Sequence, residues 1–374
     1  MNGDTNGGMS GGTNGGMNDV THGSMAGAPH EDAGGAIDIS VVVIGRNEGA
    51  RLARCLASVR QAQWQQLRWE LIYVDSHSRD GSPDTARALG AQVLGLGDQA
   101  PSAAAGRNLG WRAARGALVL FLDGDTELDP LFIGRAQAVL QAEPQVVAVW
   151  GHRRESWPAQ SLYTRVLDLD WIFAPGRVDY FGGDALVRRA ALAEVGGFDD
   201  TLVAGEEPEL CRRLRAAGWQ IEHIDAPMTR HDLAITSARA WWQRAERAGL
   251  AYAQVAARYA HTPDPLWQAE ARRNRRHGGA LLAAPLLLAL AATWQPLAAW
   301  VLLLGGLVLW ARSAQRCRWK CPQQPALAWA YAAHSHLQQV PILAGQWRWW
   351  RLQRARRAPV LMEYKSANGT KGQR

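Results

Sequence analysis

The chain has 374 residues, 47% of them hydrophobic, and carries 41 Lys and Arg against 34 Asp and Glu, a formal net charge of +7. That length suits one large domain plus an appendage. Much of the positive excess lies after residue 270, beside apolar segments and tryptophans, with no recognition-helix, zinc-finger or RNA-binding signature; attraction to anionic membrane lipid accounts for it, and no nucleic-acid partner is expected.

Residues 1–35 are mostly Gly, Asn, Met, Ser and Thr with almost no large apolar side chain, a composition that cannot bury enough surface to order and reads as a disordered tail. They lack a basic start followed by an apolar core, so no secretory signal is expected. Cys55, Cys211, Cys317 and Cys321 are few and scattered, as expected of reduced cytosolic thiols. Cys317 and Cys321 could share a zinc ion, but no second Cys or His pair has matching spacing.

Order begins with IDISVVVIG, whose β-branched content predicts a strand over 37–44 ended by Gly45. A helix follows with Leu52, Leu56 and Val59 spaced to face a sheet. Between them stand Arg46, Asn47 and Glu48. The pattern repeats: a strand over 70–74 runs into Asp75, then a Ser/Asp/Gly turn, then a helix from about Asp84. Asp75 is placed to accept from a ribose hydroxyl or a base N–H, or to cap the turn. A third strand is predicted over 91–94. GLGDQA, from Gly95, matches a dinucleotide fingerprint only loosely, and no acidic residue ends a strand at the distance that motif needs. A small-residue helix over 103–114 carries Arg107 and Asn108. The apolar run 117–122 then predicts a buried strand, punctuated by Asp123-Gly124-Asp125. Strand and helix alternating in this rhythm imply an α/β fold with a mostly parallel sheet and right-handed crossovers.

Asn47, Asp75 and Asp123 thus end three separate strands, and in an open α/β sheet the carboxyl edge is where ligands bind. Two Asp at i and i+2 around a Gly can aim oxygens at one hard divalent cation, which also takes waters and phosphate oxygens; taken alone, the same three residues make an ordinary turn. Further on, Gly182 and Gly183 permit close approach of a ligand to the backbone, with Asp184 beside them as a candidate acceptor of hydroxyl protons. Glu206 and Glu207 precede Pro208 at a helix start, where the dipole favours their charge.

Residues 40 to about 249 resemble the nucleotide-sugar-dependent family 2 glycosyltransferases of GT-A fold. VVVIGRNE is similar to that family's opening strand with its Asn-Glu pair, VDSHSRDGS to its uracil-binding turn, and AAGRNLGWRAARGALVLFLDGDTELDP to its Arg-Asn helix followed by the metal-binding DxD. GGDALVRRAALAEVGGFDDTLVAGEEPELCRRLRAAGW is close to the acceptor-side segment. The resemblance implies a nucleotide-sugar donor bound by Asn47, Glu48, Asp75, Arg107, Asn108 and Asp123, and Mn2+ or Mg2+ held by Asp125 with Asp123. It implies an acceptor met by Gly182, Gly183 and Asp184, and a general base at Glu207 beside Glu206. The family pattern has Asp where this chain has Glu207, so the reach to the acceptor differs by one methylene. His231 occupies the position where some members place a His near the diphosphate or metal. The implied chemistry is inverting transfer to a hydroxyl of a glycan or lipid-linked acceptor. Processive synthases carry Gln-x-x-Arg-Trp; WWQRAERAG has Gln243 with Glu246, not Arg, three residues later, which argues for transfer of a single sugar.

After His261 the chain changes character. A basic cluster, ARRNRRHGG, precedes residues 280–310, which are almost wholly apolar and uncharged, interrupted at Trp294-Gln295-Pro296. This is too long for one span and short for two, so a tight helical hairpin or re-entrant pair is expected, with basic flanks on the cytoplasmic side; a buried core helix pair is the soluble alternative. Residues 326–345 form a marginal third segment, and WRWWRLQRARR mixes indoles with cations, as suits a headgroup layer. The expected organisation is a tail over 1–35, a GT-A domain over 36–260, a membrane-associated helical region over 270–358 and a tail over 359–374. The expected setting is the cytoplasmic face of a bacterial inner membrane, in exopolysaccharide or envelope-glycan assembly. Two other classes are compatible with parts of this pattern: a nucleotidyltransferase, which lacks its Gly-rich phosphate loop here, and a catalytically silent membrane assembly partner.

Overall fold

The computed structural model of the protein describes residues 36–357; the two predicted tails lie outside them. The elements follow in the order β1 (Ile39–Gly45), α1 (Ala50–Gln61), β2 (Trp69–Asp75), α2 (Ser82–Ala88), β3 (Gln92–Gly95), α3 (Ala103–Ala113), β4 (Leu118–Asp123), β5 (Thr126–Leu128), α4 (Phe132–Ala142), β6 (Val146–Glu155), α5 (Leu162–Asp168), β7 (Gly176–Val178), β8 (Ala185–Arg188), α6 (Arg189–Glu194), α7 (Glu206–Ala216), β9 (Gln220–His231), α8 (Ala238–Arg258), α9 (Gln268–Trp294), α10 (Pro296–Cys317), α11 (Pro325–Leu337) and α12 (Gln339–Arg354). Each predicted strand of the first half is present within two residues of its expected bounds.

The nine strands among the described residues join one sheet in the order β3-β2-β1-β4-β8-β6-β9-β5, with β7 also on β9. β3, β2, β1 and β4 run parallel, as βαβ crossovers require. The rest of the sheet is mixed: β8 enters antiparallel between β4 and β6, and β9 lies parallel to β6. Because β8 reverses direction on both sides, β4, β6 and β9 all point their carboxyl ends to the same edge. β1 and β4 read as continuous apolar runs because both sheet faces are covered: Val41, Val42, Val43, Leu120, Phe121 and Leu122 are fully buried. On α1 the buried set is Leu52, Cys55, Leu56 and Val59, one helical stripe against the sheet.

The C-terminal third is helical. α8 and α12 cross at two glycines: a Cβ on Gly249 would sit 2.0 Å from the Ile342 carbonyl oxygen, and one on Gly345 would lie as close to that of Glu246. Only glycine lets the two backbones approach so closely. α9 and α10 form a hairpin turned at Gln295. By length and composition each could cross a membrane, with only 6% and 11% of their apolar stretches buried. The predicted third apolar segment is divided between α11 and α12, which meet at Gln338.

Candidate active site

The carboxyl edge of the sheet gathers one cavity of about 450 Å3. Its walls come from separate strand ends: Arg46, Asn47 and Glu48 after β1, Ser76 after β2, Asp123 and Asp125 around the end of β4, Arg153 near the end of β6 and His231 at the end of β9. α3 contributes Arg107, the start of α7 contributes Glu206 and Glu207, and α8 contributes Arg244 and Arg247. The α3 helix is held in place by Ser102, whose hydroxyl accepts from the Ala105 N–H at 3.0 Å, a side-chain N-cap.

Arg107 is the charge centre. Its guanidinium is 2% exposed as a residue and donates to Asp123 Oδ1 at 2.9 Å and to Glu206 Oε1 at 3.0 Å, with Glu207 Oε1 at 3.1 Å. Burial works against the cation, yet Glu207, Asp123 and Glu206 together raise its pKa, so it stays charged. Arg153 mirrors it from the other side, 3.3 Å from Asp123 Oδ2 and 3.2 Å from Asp184 Oδ2, with its guanidinium 4.6 Å from the centre of the Trp171 ring. Buried ion groups persist only when paired in this way. Gly183 completes the cradle, since a Cβ there would lie 2.6 Å from Asp123 Oδ2.

Glu207 has its pKa pushed up to about 7, first by burial and then by Glu206, with Arg107 opposing. A carboxylate poised there, at a cavity wall, is suited to accept a proton near neutral pH.

Asp125 and His231 are brought together by backbone register. β5 pairs antiparallel with β9, Thr126 opposite His231, and the Asp232 N–H donates to the Asp125 carbonyl at 3.0 Å. The result sets His231 Nε2 3.2 Å from Asp125 Oδ2. Burial, then Arg153, lower the His231 pKa to about 3, so the imidazole is neutral and keeps a lone pair. Its Nδ1 is buried without a hydrogen-bond partner among the described residues. A carboxylate and a neutral imidazole side by side suit a divalent cation. No group of three or more His, Cys, Asp or Glu among the described residues is spaced to hold a metal alone. Asp125 and His231 would thus offer two protein donors to such a cation.

Not every predicted site residue faces this cavity. Asn108 holds the Gly-Gly-Phe-Asp turn to α3: its Nδ2 donates to the Phe198 carbonyl at 2.8 Å and its Oδ1 accepts from the Phe198 N–H at 2.9 Å. Asp184 lies behind Asp123, accepting from the Asp123 N–H at 3.1 Å and the Thr229 hydroxyl at 2.7 Å. Asp75 accepts from Tyr73 Oη at 3.1 Å and the Ser78 N–H at 3.0 Å, beside the wall formed by Ser76. Gly182 adjoins the cavity through Gly183. Asn47 stands at a left-handed φ of 54°, its Oδ1 accepting from the Arg79 N–H at 2.8 Å, which ties the β1 and β2 loops together. Glu48 pairs with Arg51 at 2.9 Å.

Arg153, Trp171, Arg244 and Arg247 were not anticipated. Arg153 carried a signal, because Val146 to Trp150 is an apolar run followed by His152-Arg153-Arg154, the same punctuation that marks the other strand ends. Arg244 and Arg247 are one helical turn apart, within the WWQRAERAG segment, whose sequence shows only a departure from Gln-x-x-Arg-Trp. Trp171 had no sequence signal of its own.

Residues 40–196 match the model of Glycosyl transferase family 2. Among curated proteins, the chain is similar to glycosyltransferase AglE of Haloferax volcanii, 23% identical over 193 residues that cover 49% of this chain and 63% of that protein. It is also similar to the pre-mycofactocin glycosyltransferase of Mycobacterium tuberculosis, 30% identical over 248 residues, 61% of this chain and 50% of that protein. The chain therefore spans between half and two thirds of the length of these relatives. Among solved structures, the mannosyltransferase PcManGT from Pyrobaculum calidifontis in complex with GDP-Man and Mn2+ aligns with a TM-score of 0.57 at 23% identity, covering 83% of this chain and 89% of that one. That likeness is one of fold.

Proposed function

We propose, from the match of residues 40–196 to glycosyl transferase family 2, that the chain is a metal-dependent inverting glycosyltransferase that moves one sugar per encounter from a nucleotide-diphosphate donor to a hydroxyl of a lipid-linked or membrane-delivered acceptor. The observation that carries this reading is the meeting, in one cavity, of the Asp125–His231 pair with Glu207, whose carboxyl has its pKa near 7.

Asn47, Glu48 and the wall beside Asp75 receive the nucleoside, and Arg46, Arg153, Arg244 and Arg247 supply positive charge to its diphosphate. Asp123, clamped between Arg107 and Arg153, faces the ribose and phosphates. Asp125 and His231 would hold Mn2+ or Mg2+, which when bound neutralises charge on the departing diphosphate. Glu207 takes the proton from the acceptor hydroxyl as that oxygen attacks the anomeric carbon; the carbon–oxygen bond to the diphosphate breaks and the configuration inverts. Arg107 orients Glu207, and Glu206 shares the guanidinium and keeps the neighbouring carboxyl basic. Asp184 acts through Arg153 and Asp123, and Asn108 through the turn at Phe198; both are positioning residues in this scheme. UDP is the first choice of nucleotide from the VDSHSRDGS turn, with GDP second, as in the PcManGT complex.

The exposed α9–α10 hairpin and its basic flanks support attachment at the cytoplasmic face of a bacterial inner membrane, in exopolysaccharide or envelope-glycan assembly.

The test is release of nucleoside diphosphate from a panel of UDP- and GDP-sugars with Mn2+ or Mg2+, for the parent, Asp125→Ala and Glu207→Gln. Release from one donor, reduced roughly 100-fold or more in each variant, is the expected result. No release from any donor, with membrane extract present to supply acceptor, would overturn the reading in favour of a silent assembly partner.

A further inference from the structure

The second and third turns of α9 present a feature the donor cavity does not use. Arg272, Arg273 and Arg276 line a separate shallow cavity, wide open to solvent, together with Ala269 and His277, all five on α9. Spacings of i, i+1 and i+4 put the three guanidiniums on one side of the helix. All three are exposed, and no described carboxylate pairs with any of them. Arg275, between them in sequence, turns away and donates to Gln346 Oε1 at 3.2 Å. Three exposed cations on one side of a helix, with no carboxylate of the described residues against them, can receive an anion from outside.

Their height on the hairpin says where that anion resides. From Arg276 to the tip at Trp294 there are 18 residues, about 27 Å at roughly 1.5 Å per residue, close to the roughly 30 Å of bilayer hydrocarbon. The same level is marked on the neighbouring helices. His277 Nε2 lies 3.0 Å from His336 Nδ1, and His336 Nε2 lies 2.9 Å from Ser313 Oγ, a polar relay joining α9, α11 and α10. One turn toward the apolar end, Trp310 Nε1 donates to the Trp329 carbonyl at 3.0 Å. Imidazoles and a hydroxyl with indoles one turn beyond them, and bare leucines further on, mark a headgroup layer.

We propose that this cavity is a binding site for the phosphate of an anionic membrane lipid, held by charge-assisted hydrogen bonds from Arg272, Arg273 and Arg276 while its acyl chains lie along the exposed apolar face of α9. The inference rests on the membrane reading of the hairpin.

Binding is measured by calorimetry on the full chain in neutral detergent, with dihexanoyl phosphatidic acid, dihexanoyl phosphatidylcholine and inorganic phosphate as probes. Phosphatidic acid binds the parent tightest, and the triple variant Arg272→Ala/Arg273→Ala/Arg276→Ala weakens it roughly 100-fold, about fivefold for each arginine. Removing the same charge from the other flank, with Arg312→Ala/Arg316→Ala/Arg318→Ala, leaves it unchanged. Equal losses in the two triple variants would reduce the site to diffuse attraction and overturn the proposal. So would phosphatidylcholine or inorganic phosphate binding as tightly as phosphatidic acid, the latter assigning the cavity to free phosphate. Retention of the parent on pure phosphatidylcholine vesicles tests the membrane reading separately, because it depends on the leucines and not on the arginines.

Discussion

The carboxyl edge of the sheet and the α9–α10 hairpin treat the same residue types in opposite ways. At the sheet edge the charged groups are inside: Arg107 and Arg153 are almost fully buried, and each bridges two or more carboxylates. In the hairpin the apolar groups are outside, with Leu286 at 64% and Trp294 at 82% exposure, and Arg272, Arg273 and Arg276 at its base pair with no carboxylate among the described residues. A buried cation is tolerable only when its counter-charges are built in, so the sheet edge is a preassembled receptor for charge. An exposed leucine face of this size marks a surface that something apolar covers, a membrane or a partner. Under the proposed reading, the two environments serve a soluble charged ligand and a lipid surface.

The comparison is broken most directly by deleting one arginine from each region. Arg107→Ala strands Asp123, Glu206 and Glu207 and is expected to cost about 3 to 5 kcal/mol in chemical denaturation, whereas Arg276→Ala stays within about 0.5 kcal/mol. Similar costs for the two would abolish the distinction. Leucines give the parallel test. Leu120, with no exposure, is expected to lose about 2 to 5 kcal/mol on substitution by Ala, while Leu286→Ala in detergent is nearly neutral, and a measurable loss there would mean the hairpin face is packed.

The pH dependence of activity sharpens the sheet-edge half. Burial and Glu206 hold the Glu207 pKa near 7, and the base acts only when ionised. Activity is therefore expected to fall about tenfold per pH unit below 7 and to level off above it. The residual activity of Glu207→Gln should lose that limb; a limb that persists would move the base to another residue. A smaller effect than at Arg107 or Leu120 is expected at Thr229→Val, which keeps shape but removes the 2.7 Å hydrogen bond to Asp184. It should cost about 1.5 kcal/mol of stability, and no change at all would mean that Arg153 and the Asp123 N–H already satisfy that carboxylate.

Much of this was legible residue by residue. The apolar runs of β1, β2 and β4 and the stripe on α1 are local patterns, and a strand end is visible as the point where an apolar run gives way to polar groups. That punctuation located Asn47, Asp75 and Asp123 correctly at one edge. The His152-Arg153-Arg154 ending of β6 carries the same punctuation and places Arg153 at that edge too. The roles of Asn108 and Asp184 were less accessible, since a polar side chain beside a motif looks the same whether it faces a ligand or ties down a turn.

By itself, the amino-acid sequence determined the α/β class, the parallel half of the sheet, the carboxylates at its edge and the apolar hairpin, because each is set by periodicity and composition over fewer than about 20 neighbouring residues. Tertiary structure alone decided that β8 reverses between β4 and β6, that Thr126 sits opposite His231 so that Asp125 meets an imidazole 106 residues away in the chain, and that Arg244 and Arg247 turn into the cavity. Those pairings depend on strand register and helix docking between distant segments. They are fixed by packing of surfaces that no local pattern describes.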